Sequence, residues 1–65
     1  MKLTERKIDG TDGMQIDICP NEIESVNKHN GITYIKPYLG IETAVQEDAI
    51  EIMMHIAVWG FNHHE

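Results

Sequence analysis

The sequence is poor in several residue types, and each shortage narrows what the protein can be. It has one cysteine, Cys19, so no disulfide can close within the chain, which fits a reducing compartment. No stretch approaches the roughly 20 apolar residues that span a bilayer. The nearest candidate, MMHIAVWG over 53–60, is interrupted by His55. The opening MKLTERKIDG has no apolar run behind its basic residues, so no signal peptide is expected and a cytoplasmic protein is.

Basic residues are scarce as well. Five Lys and Arg stand against eleven Asp and Glu, for a formal net charge of −6. The imbalance is uneven. Residues 1–8 carry Lys2, Arg6 and Lys7 against Glu5, a net of +2, whereas residues 9–65 carry ten acids against Lys28 and Lys36, a net of −8. Direct nucleic-acid binding requires a basic footprint to neutralise phosphate, and the body of this chain has the opposite sign. An anionic membrane surface is disfavoured for the same reason. A protein partner with a basic surface is compatible, although acidity also serves plain solubility.

At 65 residues there is room for one domain and no linker. Ordering each residue costs about 1.5 kcal/mol, and so small a core does little more than balance it. Close packing, a metal or self-association then becomes important.

The expected fold is α+β, a small antiparallel sheet of three or four strands with one C-terminal helix packed across it. Residues 2–19 read as a hairpin, with the Asp-Gly pairs of DGTDG (9–13) as its turn. In MQIDIC, Met14, Ile16 and Ile18 alternate with Gln15, Asp17 and Cys19, the clearest period-2 pattern in the chain. Pro20 ends that strand. Residues 22–39 read as a strand region, with a short helical turn capped by Asn21 as the alternative over 22–30. A helix is expected over 44–59, with Thr43 as N-cap, Gln46 completing a capping box and Gly60 as the C-terminal stop. Residues 61–65 then form a tail.

Advancing 100° per residue around that helix separates three faces. Val45, Ala49, Ile52, Ile56 and Trp59 share an arc that suits packing on a sheet, widened by Met53 and Ala57. Glu47, Asp48, Glu51 and His55 form an acidic stripe opposite it. Ile50, Met54 and Val58, spaced i, i+4, i+8, make a second apolar row that one sheet face does not account for. That row is either covered by another part of the chain, scattered surface hydrophobics, or an interface.

Catalytic and metal chemistry find weaker footing. Glu51 and His55 could face one ion, with His63 and His64 adding ligands, but the HExxH pattern is absent and the Glu51–His55 spacing suits an ordinary helix-surface pair. DGTDG lacks the alternating acids of a calcium loop and reads as a turn. Cys19 has no neighbouring base in sequence to activate it. Tyr34, Tyr38, Trp59 and Phe61 could stack nucleobases, yet without interleaved Lys or Arg they read as core and rim.

No enzyme, cofactor or metal is expected. The leading expectation is a non-catalytic protein-binding module, an adaptor or inhibitor. Its contact surface would be Glu47, Asp48, Ile50, Glu51, Met54, His55 and Val58, occluding a basic site on its target, nucleic-acid-binding sites included. The alternative is a self-associating structural protein, a homodimer with the second apolar row as its seam.

Overall fold

The structure, a computed structural model, describes residues 1–63, with His63 described by its backbone alone. It is α+β, as the periodicities require, but the antiparallel sheet has five strands rather than three or four. These are β1 (Lys2–Arg6), β2 (Asp12–Asp17), β3 (Ile23–His29), β4 (Ile32–Pro37) and β5 (Thr43–Val45), followed by helix α1 (Ala49–His63). The spatial order is β2-β1-β5-β4-β3.

Two local hairpins form the halves of the sheet. In the β1–β2 hairpin the chain turns at the first Asp-Gly pair of DGTDG. Gly10 takes φ +88°, a conformation open to glycine, and its N–H donates to the Lys7 carbonyl at 2.9 Å. Asp9 braces the turn by accepting from both the backbone N–H and the hydroxyl of Thr11. The second pair, Asp12-Gly13, lies in β2 itself. There the register shifts between Thr4 and Arg6, and a side chain at Gly13 would collide with Glu5.

In the β3–β4 hairpin Asn30 and Gly31 both have positive φ, at 52° and 78°, the requirement of the tight turns that match strand twist. Ile23–His29 is therefore strand, preceded by a short 3-10 turn over Pro20–Glu22. β-Branched Ile23 and Val26 face cross-strand partners, which outweighs Asn21 as a helix cap.

The fifth strand comes from the stretch expected to open the helix. Thr43–Val45 pairs with β4 through Thr33↔Val45, Tyr34↔Ala44 and Ile35↔Thr43, and with β1 through Glu5↔Val45. Three residues thus join the two hairpins into one sheet, and Val45 is buried at the junction. A central position rewards β-branched Thr43 and Val45 more than helix propensity does. Thr43 is no helix cap, since its hydroxyl donates to the Ile41 carbonyl. Gln46 does not close a capping box: its backbone N–H donates to the Thr4 carbonyl and its side-chain amide to that of Gly10.

The helix accordingly begins at Ala49 and runs through Gly60 to His63, so neither the stop at Gly60 nor a tail from residue 61 holds. No proline follows to end it, and one interior glycine costs only about 1 kcal/mol relative to alanine. Residues 64 and 65 of the expected tail lie outside the described residues.

The core gathers Leu3, Ile18, Ile23, Ile35, Val45 and Ile52, with Met1, Ile16, Val26 and Ile56 around it. Only the start of the helix reaches it. Ala49 and Ile52 are buried, Ile56 and Trp59 half-buried, and Met53 and Ala57 exposed. The inner stripe thus fades along the helix, which lies against the 3-10 turn and β3 rather than across the whole sheet. Met14 is exposed for the same reason, since it sits on edge strand β2 towards the hairpin turn, beyond the helix.

Gly60 has space for a methyl group, with nothing within 4 Å of an added Cβ. Gly60→Ala should therefore raise stability by about 0.5–1 kcal/mol, seen as a higher urea midpoint with unchanged slope. A neutral or lower midpoint would mean that residue 60 is not helical in solution.

Candidate functional site

The anticipated surface splits into parts when the side chains are placed. Glu47 precedes the helix and turns back into the fold, where its Oε1 accepts from the Thr4 backbone N–H at 2.8 Å. That bond fastens the segment after β5 to β1. Glu47 is half-buried and leaves the contact surface, because Thr4 offers a donor that a solvated position does not.

Asp48 occupies the N-cap position. Its carbonyl accepts the first helical bond, from Ile52 at 3.2 Å, and its Oδ2 accepts from the Ile50 N–H at 3.3 Å. Its Oδ1 meets the Lys28 Nζ of β3 at 2.9 Å. The Asp48 carboxyl is held below its ordinary 3.8 first by the Lys28 hydrogen bond and then by the Ile50 N–H. Two of the three acids in the stripe therefore have structural partners.

Glu51 and His55 remain as exposed polar neighbours on the helix and make no ion pair with each other. Beside them runs the second apolar row. Ile50, Met54 and Val58 are 67 %, 63 % and 58 % exposed, so neither a loop nor β1 covers them. Together with Asp48, Glu51 and His55 they form an open, shallow apolar face along the helix. The row keeps its expected phase although the helix starts five residues later than expected, because 100° per residue does not depend on the start.

Between Ile52 and Asn62 the helix carries no Asp, Glu, Lys or Arg, and apolar residues occur on every side of it. A helix with that composition is ordinarily buried all round. Here one flank is seated on the fold and the other faces solvent.

Sequence reasoning missed two other apolar exposures. Leu39 and Ile41 project from the β4–β5 connection, with Tyr38 beside them, and Ile8 stands at the β1–β2 turn. Two shallow depressions adjoin them, one lined by Asn21, Glu22, Pro37, Tyr38 and Leu39, the other by Arg6, Lys7, Ile8, Ile32, Tyr34 and Ala44. The available signal was apolar residues between turn formers, as in Tyr38-Leu39-Gly40-Ile41.

Cys19 is exposed and free. Among the described residues, no three His, Cys, Asp or Glu side chains stand close enough to hold a metal ion. The side chains of His63 and His64 lie outside that description. No described helix is long and apolar enough to cross a membrane. Compared with known proteins, the chain matches no family model, no curated protein and no solved structure.

The Asp48 interactions have a definite pH signature. A carboxyl whose folded pKa lies below its unfolded value stabilises the fold above the unfolded pKa, and that contribution disappears as pH falls through the folded one. Asp48→Asn should therefore lower the urea midpoint at pH 7, and the gap from the unsubstituted protein should close below about pH 3.8. A gap that stays constant as pH falls below 3.8 would contradict a charge-based role.

Proposed function

We propose that this chain is a non-catalytic protein-interaction module that works through the outward face of its helix. The observation that carries this reading is the exposed row Ile50, Met54 and Val58 on a helix whose composition calls for burial on all sides. Met54 is adaptable, whereas β-branched Ile50 and Val58 are stiff, a combination suited to an apolar contact of defined shape. Glu51, Asp48 and His55 border the row and give the contact a polar rim.

Two uses of such a face are open to a small acidic protein. One is adaptor or inhibitor, with the net charge of −6 steering it onto a basic target. The other is a structural role through self-association. Because Glu47 is bonded to Thr4 and Asp48 to Lys28 and the helix start, apolar contact supplies more of the binding than charge does in either case. Occlusion of a basic nucleic-acid-binding site would then rely on Glu51, the partly engaged Asp48 and the long-range field of the whole protein.

Cross-linking in cells of the native host distinguishes these readings from an inert surface. The unsubstituted protein should give a stoichiometric cross-linked species that Met54→Glu abolishes and Cys19→Ser leaves intact. A foreign basic partner should release steeply as salt rises, whereas an apolar self-contact should hold. Identical cross-linking of the unsubstituted protein and Met54→Glu would overturn the helix-face reading.

A further inference from the structure

We infer that the occupant of the helix face is a second copy of this chain, docked antiparallel about a two-fold axis at Met54. This rests on the reading of that face as an interface and names its partner. The row is self-complementary when reversed. Ile50 meets Val58 of the second copy, Met54 meets Met54, and Val58 meets Ile50, so a two-fold contact pairs side chains of similar size.

Charge selects the direction. With the axis at Met54 and a 1.5 Å rise, the two Glu51 residues lie about 9 Å apart along the seam and the two Asp48 residues about 18 Å apart. These separations reach or exceed the screening length of about 8 Å at physiological salt. A parallel pair would instead set like acids at the same height and align the two helix dipoles. The antiparallel arrangement also sets Glu51 of each copy about 3 Å along the seam from His55 of the other, on the same flank, where a carboxylate and an imidazole can bond. No Lys or Arg lies on α1 to be stranded in the seam.

The available area bounds the size of the contact. A helix face 15 residues long offers on the order of 500 Å² per copy, at the low end of specific interfaces. So small an interface suits a weak, reversible contact, opposed by a repulsion between two copies of charge −6 each that added salt relieves. The dimer should therefore tighten modestly with salt, opposite to the release expected of a basic partner.

The test uses the full chain in a Cys19→Ser background, which leaves no native thiol. Sedimentation velocity at tens of micromolar should show a dimer that Met54→Glu converts to monomer, raising the dissociation constant about 100-fold or more with an unchanged far-ultraviolet circular dichroism spectrum. Under mild oxidation, Met54→Cys should form a covalent dimer efficiently, because the two residues 54 meet on the axis. Ile50→Cys should form little, because its two copies stand about 12 Å apart along the seam, beyond disulfide reach. A monomer at all concentrations, or cross-linking at 50 equal to that at 54, overturns the dimer. The broader helix-face reading fails separately, only when Met54→Glu also leaves cellular cross-linking unchanged.

Discussion

Ile52 is fully buried, and its insertion among Leu3, Ile18, Ile23, Ile35 and Val45 couples the helix to both hairpins. Those residues come from β1, β3, β4, β5 and the end of the β1–β2 unit, so the cluster that Ile52 joins draws on nearly every part of the fold. Its position, one turn into α1, determines how the rest of the helix lies. The first turn is seated, Ile56 and Trp59 are half-covered, and the opposite face of the helix has no sheet beneath it.

The second constraint is the join at β5. Three residues close the sheet between β1 and β4, and the two that follow are committed to holding it. Gln46 bonds to Thr4 and Gly10, and Glu47 bonds to Thr4. Asp48 then starts the helix and ties it to β3 through Lys28. Side chains that resemble a solvated acidic stripe thus do structural work at the strand-to-helix transition. For the proposed interface, this shifts weight from charge towards apolar contact.

Much of this fold is legible in local pattern. The alternation of Met14 and Ile16 marks β2, the first Asp-Gly pair marks its turn, and i, i+4, i+8 spacing marks the row Ile50, Met54, Val58. What is not legible depends on distant partners. Thr43-Ala-Val-Gln resembles a helix start, and only the gap between β1 and β4 makes it a strand. Glu47 has helical phase with Glu51, and only the Thr4 N–H, 43 positions away, draws it inward. Gly60 carries a stop signal that local sequence does not enforce. Met53 and Met14 have core phase, yet both lie at the rim of the sheet, Met53 beside edge strand β3 and Met14 on edge strand β2.

The central claim is that the outer half of α1 is buried by something other than its own sheet. Native-state hydrogen exchange, resolved along the chain and repeated over a roughly hundredfold range of protein concentration, measures this directly. The account predicts that amides of residues 53–62 gain protection as concentration rises, while those of β1, β4 and β5 stay constant. Helix amides whose protection is the same at every concentration, in the micromolar range where the seam should form, would contradict it.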